Sequence, residues 1–232
     1  LFFSGCTTTK NSSKSKNTLT EQLDNLDKEH RKVALFKKLS SDVKSINSIQ
    51  KMRPYLDWLQ NKVVTENDTF RYATMYSFYL WKLGIKDHAE AMMLYGQLRL
   101  EIDFSRCNNK NNSYSKYTGW YQGGELGSQI LKNYQKRNQK GREKILELAM
   151  NWENRHKIRT GDVWLCSSIN WSKAMAQTDK LKMKETNNSK HIGKTIEVEP
   201  TKEILIPPSF VSDDLWLKGR IKLIDKFGDK YR

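Results

Sequence analysis

Residues 67–106 read NDTFRYATMYSFYLWKLGIKDHAEAMMLYGQLRLEIDFSR, and this stretch decides the fold class. Phe70, Ala73, Ser77, Leu80 and Trp81 recur at three and four positions, the repeat of one helix face, and Gly84 supplies a stop. Asn67 or Asp68 is placed to cap that helix, and Asp87 to cap the next. In the second, Ala89, Met92, Met93, Gly96, Leu100 and Asp103 follow the same spacing. Two such helices around a glycine turn, with small Ala73, Ala89 and Gly96 where they meet, predict an αα-hairpin.

The hairpin resembles one unit of the tetratricopeptide or Sel1-like class, in which a helical pair of about 34 residues stacks on its neighbours. Stacked arrays take about three units, and no second copy is readable at that period.

Towards the N-terminus, Leu19, Leu23, Leu26 and Val33 fall at helical spacing, with Thr20 and Glu21 near the start. The Ser-rich stretch SSDVKSINSIQ (residues 40–50) predicts a break. Pro54 then opens a short helix whose Tyr55, Trp58, Leu59 and Val63 share a face. Towards the C-terminus, CNNKNNSYSKYTGWYQGGELG (residues 107–127) predicts a long polar loop. Helices are expected over about 125–139 and 142–157, broken at Gly141. KTIEVEPTKEILIP (residues 194–207) reads as two short strands around a turn. Ser212 is placed to cap a last helix bearing Leu215, Leu217, Ile221 and Ile224, with Gly228 closing it. The expected fold is therefore mainly α: helical hairpins in a single globular domain over residues 19–232, with a small β-hairpin addition near the C-terminus.

The 232 residues fit one domain of ordinary size, and seven Trp, ten Tyr and eight Phe supply large areas to bury within a 37% apolar composition. No stretch approaches the roughly 20 apolar residues that span a bilayer. A net charge of +15 points to anionic surroundings, whether nucleic acid, anionic lipid or acidic glycan.

The first residues, LFFSGCTTTKNSSKSKN, place a cysteine between apolar residues and a polar run. LFF reads as the end of a signal-peptide apolar region, followed by the small residues Ser4 and Gly5 and then Cys6. FFSGC resembles the lipobox of bacterial lipoproteins, with Phe3 where Leu is usual. The resemblance implies that residues 1–5 end a signal peptide and that Cys6 is acylated and holds the protein to a lipid bilayer. Residues 6–18 would then be a flexible tether. Thr7 follows the cysteine, where Asp commonly retains Gram-negative lipoproteins at the inner membrane; the family rule thus implies the outer membrane, facing the periplasm. In that oxidising compartment the remaining thiols, Cys107 and Cys166, are expected to pair.

Between residues 107 and 160, eleven Lys or Arg face four Glu. Lys132, Lys136, Arg137, Lys140, Arg142 and Lys144 surround one helix junction, preceded by Tyr114, Tyr117, Trp120 and Tyr121. Cations beside aromatics suit phosphate contact and stacking, and such a run also serves as a solvated helix face. An exported protein would meet anionic lipid, glycan or an envelope protein there; patterns that read nucleic acid are absent.

No catalytic, cofactor or metal motif emerges. Glu153 and His156 lie one turn apart, but no third metal ligand is spaced to join them. Cys166 lacks the surroundings of a hydrolase nucleophile, and no phosphate loop or nucleophile elbow occurs. Arg99, Asp103 and Arg106 are spaced for intrahelical ion pairs worth only a few tenths of a kcal/mol each. The expected function is a non-enzymatic, membrane-anchored envelope protein with a basic binding face. Two alternatives stand beside it: an envelope hydrolase using Glu153, His156 or Asp162 as acid–base groups, and a toxin-immunity or inhibitor lipoprotein.

Overall fold

The structure, a computed structural model, describes residues 18–28, 32–66, 69–108, 124–155, 166 and 209–232, and the backbone of 168–169, 184–186, 195–197 and 205–206. Cys6, the tether, Tyr114, Tyr117, Trp120, Tyr121, His156 and Asp162 lie outside the described residues. The described residues are mainly helical: α1 (Leu19–Lys28), α2 (Lys32–Ser45), α3 (Ile49–Thr65), α4 (Thr69–Lys82), α5 (Lys86–Ser105), α6 (Glu125–Gln135), α7 (Gln139–Arg155) and α8 (Asp213–Tyr231). The chain divides into two compact units, residues 1–58 and 59–232.

In the first unit, Thr18 and Glu21 form a reciprocal cap on α1: each backbone N–H donates to the other's side chain, at 2.8 and 3.3 Å. Leu23, Leu35, Phe36, Leu39, Val43, Met52, Tyr55 and Trp58 are buried. Two long-range hydrogen bonds tie the helices, from Trp58 Nε1 to Asp24 Oδ1 at 3.0 Å and from Tyr55 Oη to Asp42 Oδ2 at 2.9 Å. Burial, reinforced by the Asp42 carboxylate, pushes the Tyr55 phenol above the usual tyrosine range.

The expected break over residues 40–50 shrinks to Ile46–Ser48, because α2 continues to Ser45 and buries Val43. α3 starts at Ile49, with the Lys51 N–H directed at Ser48 Oγ (3.4 Å), so Pro54 lies inside the helix rather than opening it. Its ring removes one backbone donor close to the start, where the cost is confined to the first turns. The expected face of Tyr55, Trp58, Leu59 and Val63 is buried.

In the second unit, α4 ends as anticipated at Gly84, which adopts φ +77°. The Ile85 N–H donates to Leu80 O and the Gly84 N–H to Trp81 O, both at 3.0 Å, closing a Schellman motif that only a residue tolerant of positive φ fits easily. The chain then reverses into α5, which packs against α4 to form the predicted αα-hairpin. α5 also packs against α6, α7 and α8. It is consequently buried on every side: Ala89 through Leu100, Ile102 and Asp103 are all buried. A helix surrounded in this way has no single apolar face, so the stripe expected from Ala89 to Asp103 covers only part of what is buried. A central helix ringed by its neighbours also differs from a stacked array, where each unit meets only the next.

α6 and α7 differ from expectation in their boundary. The break is at Lys136–Asn138, and Gly141 lies in the first turn of α7, its N–H donating to Asn138 Oδ1 at 2.8 Å. Asp87 does not cap α5; the cap residue is Ile85, and Asp87 sits in the first turn. α8 runs past Gly228 to Tyr231. Its inward side chains are Trp216 and Phe227, whereas Leu215 and Ile221 are 63% and 61% exposed.

The strands Thr195–Glu197 and Leu205–Ile206 do not form the expected hairpin with each other. Thr195–Glu197 pairs antiparallel with Lys184–Thr186, and Leu205–Ile206 with Ser168–Ile169, giving two separate two-stranded ladders. Each segment is extended as its β-branched residues favour, but Thr195–Glu197 pairs with the strand before it in sequence, and Leu205–Ile206 with a strand more than thirty residues earlier.

Candidate functional site: the ends of the central helix and the groove beside α8

Both ends of α5 carry charge clusters that bind neighbouring elements. At the C-terminal end, Cys107 and Cys166 form the expected disulfide, with Cα atoms 5.0 Å apart and a sequence separation of 59. Beside it the segment entering α8 is strapped to the end of α5. Cys107 bridges antiparallel to Phe210, the Asn108 N–H donates to Ser209 O at 3.0 Å, and the Val211 N–H donates to Arg106 O at 2.9 Å. The Arg106 guanidinium lies 5.3 Å from the Phe210 ring centre and 5.0 Å from that of Trp216, and donates to Asp213 Oδ1 at 2.8 Å. Trp216 Nε1 donates to Ile102 O at 3.0 Å, so the indole is both buried and satisfied.

One turn deeper lies a buried charge network. Arg99 donates to Asp103 Oδ1 at 2.7 Å and to Glu153 Oε1 at 3.3 Å; the three side chains are 2%, 1% and 0% exposed. Arg220 of α8 donates to the same Glu153 oxygen through Nε at 3.1 Å and Nη2 at 2.5 Å. The Arg99–Asp103 pair expected on a helix surface is thus part of a buried junction of α5, α7 and α8. Arg106, expected to continue that row, turns instead to Asp213. The network holds Arg99 firmly protonated: burial opposes the charge, but Asp103 and Glu153 more than offset it. Glu153 is fully buried between two guanidiniums, which removes it as an acid–base group or metal ligand that substrate or solvent could reach. Among the described residues no cluster of three or more metal-ligating side chains occurs.

At the N-terminal end of α5 the six cations singled out by the sequence divide into two sets. Arg137 donates through Nε to Glu90 Oε2 and through Nη2 to Asp87 Oδ1, both at 2.6 Å. Lys144 donates to Asp87 Oδ2 at 2.8 Å, and Asn133 to Glu90 Oε1 at 2.5 Å. The Lys144 hydrogen bond, helped by Arg137, holds the Asp87 carboxyl below the usual carboxylate range. Arg142 donates to the main-chain oxygens of Arg232 (3.1 Å) and Arg137 (3.3 Å). Arg137, Arg142 and Lys144 therefore clamp α5, α6, α7 and the end of α8 together. Lys132, Lys136 and Lys140 are exposed and complete the basic corner.

A groove runs along α8 beside the last turns of α5. It has a volume of about 420 Å³ and is lined by Glu101, Phe104 and Ser105 of α5 and Leu223, Lys226, Phe227 and Lys230 of α8. The sequence reading missed it, having assigned the apolar face of α8 to Leu215, Leu217, Ile221 and Ile224. The signal was present: Trp216, Arg220, Leu223 and Phe227 follow each other at four, three and four, the spacing of a packed seam. An arginine within that seam obscured it. Asp87, Glu90 and Arg220 were also missed; their only trace in sequence is charge opposite to that of the partners they meet.

Comparison with known proteins found no family model, curated protein or solved structure that matches this chain.

Proposed function

We propose that the protein is an exported, lipid-anchored component of the bacterial envelope, which binds an anionic partner through its basic corner and performs no catalysis. The observation that carries this reading is the Cys107–Cys166 disulfide. Structural disulfides persist in oxidising compartments such as the periplasm and are rare in the reducing cytosol. The FFSGC sequence before a polar run supplies the anchor, an acylated Cys6 in the outer membrane facing the periplasm. Among the described residues no helix is long and apolar enough to cross a membrane.

For the binding face, Lys132, Lys136 and Lys140 are the contact groups: they are exposed, whereas Arg137, Arg142 and Lys144 are held in internal bonds. The partner is an anionic lipid surface, an acidic glycan or an acidic envelope protein. The sequestration of Glu153 supports a binding role over hydrolysis.

Expression of the full gene in a bacterial host tests the proposal. Wild-type protein should fractionate with membranes and take up labelled fatty acid, and Cys6→Ala should be released or remain as uncleaved precursor. Wild-type protein that is soluble and unlabelled refutes it.

A further inference from the structure

The groove between α5 and α8 combines features that neither the anchor nor the basic corner uses. Leu223, Lys226, Phe227 and Lys230 lie at i, i+3, i+4 and i+7 of α8 and so form one stripe along it. Glu101, Phe104 and Ser105 form the matching stripe of α5. From Leu223 to Lys230 the helix rises about 10 Å. The floor is apolar (Phe104, Leu223, Phe227), and its position is fixed because Phe227 is almost fully buried and stacks on Tyr231 at 4.4 Å. The rim is cationic at one end. Lys226 is exposed, and Lys230 lies 3.6 Å from Glu101 and 4.9 Å from the Tyr231 ring centre. The single carboxylate of the lining is thus shared with Lys230, while Lys226 adds a second positive charge, so the rim is net positive. The volume of about 420 Å³ falls within the roughly 300–1,000 Å³ of small-molecule sites.

We propose that this groove binds the acyl chain of a fatty carboxylate, with the chain over Phe104, Leu223 and Phe227 and the carboxylate at the ammonium groups of Lys226 and Lys230. The chemistry of the lining selects this class. An elongated apolar floor suits one hydrocarbon chain, and two amines at the rim suit a small anion rather than a cation or a neutral head. Ser105 is not needed for recognition, since its hydroxyl already donates to Ile102 O at 2.6 Å. The proposal is independent of the anchor, because no residue of the groove belongs to the N-terminal segment or to the basic corner.

The test uses the full chain carrying Cys6→Ser, with its disulfide formed, and decanoate as the probe below its micelle concentration. Binding is followed by amide chemical shifts and calorimetry. Decanoate should shift resonances of Phe104, Leu223 and Phe227. Lys226→Gln with Lys230→Gln should weaken it about tenfold, the loss expected for charge-assisted contacts. Decyltrimethylammonium, with the same chain and opposite charge, should bind at least as much more weakly. Leu223→Arg, at a half-buried position of the floor, should block the chain, with an unchanged far-ultraviolet circular dichroism spectrum as the check that the fold is kept. Absence of decanoate shifts in the groove, equal binding of the cationic analogue, or decanoate affinity indifferent to the lysine variants would each overturn the proposal. Selective binding of an acidic peptide in the same groove, without decanoate, would overturn it in favour of a protein partner.

Discussion

Replacing Glu153 by Gln tests whether the buried charge network holds the helices around α5. The substitution conserves shape but leaves Arg99 with Asp103 as its remaining carboxylate and takes from Arg220 the carboxylate it contacts. Breaking a buried, hydrogen-bonded pair by removing one partner costs about 3–5 kcal/mol, because the surviving charge stays desolvated. Arg220 is the more accessible of the two guanidiniums and can turn towards water, so the cost is concentrated on Arg99. For a chain of this size each kcal/mol lowers Tm by about 2–4 °C, so the expected fall is on the order of 10 °C. In urea the midpoint should drop with the slope unchanged, since the surface exposed on unfolding is the same. Replacing Arg99, Asp103, Glu153 and Arg220 together by Met, Leu, Leu and Met removes the charges with their partners and should restore most of the loss. A Glu153→Gln protein within about 1 kcal/mol of wild type, the scale of an exposed pair, would refute the network as a buried junction.

Reduction of the Cys107–Cys166 bridge, which spans 59 residues, should cost about 4 kcal/mol by the chain-entropy relation, seen as a lower Tm with reductant and in the Cys107→Ser, Cys166→Ser variant. Gly219 is inside α8 with open space where a Cβ would stand, so Gly219→Ala should stabilise by about 0.5–1 kcal/mol in urea melts. Gly84→Ala, forced to φ +77°, should instead destabilise by about 1 kcal/mol. Because Lys144 and Arg137 depress the folded-state pKa of Asp87, its contribution is complete above the ordinary carboxylate pKa and is lost as pH falls through the lowered value. Asp87→Asn should therefore be less stable than wild type near neutrality, and the gap should close in acid; a gap that widens in acid contradicts the assignment.

What could be read in the sequence was local. The α4–α5 hairpin was legible because Gly84 marks its turn and the apolar residues of α4 keep helical spacing. The disulfide was legible from compartment reasoning and the presence of two remaining cysteines. The burial of α5 was not legible, because a helix packed on all sides gives no amphipathic contrast to read. The split of the basic cluster depended on α6 and α7 meeting Asp87 and Glu90, roughly fifty residues earlier in the chain. The strands failed as a hairpin for the same reason: extended segments are a local property and their pairing is not. α8 misled because a long-range partner, Glu153, makes an arginine suitable for the buried seam.

The most direct test of the central claim is a count of alkylatable thiols on unfolded, unreduced protein isolated from a bacterial host that expresses the full gene. The account predicts none, because on the proposed reading Cys6 would carry lipid through its sulfur, and Cys107 and Cys166 are bonded to each other. Two or three alkylated cysteines would show Cys107 and Cys166 unpaired and would contradict both the export and the disulfide that supports it.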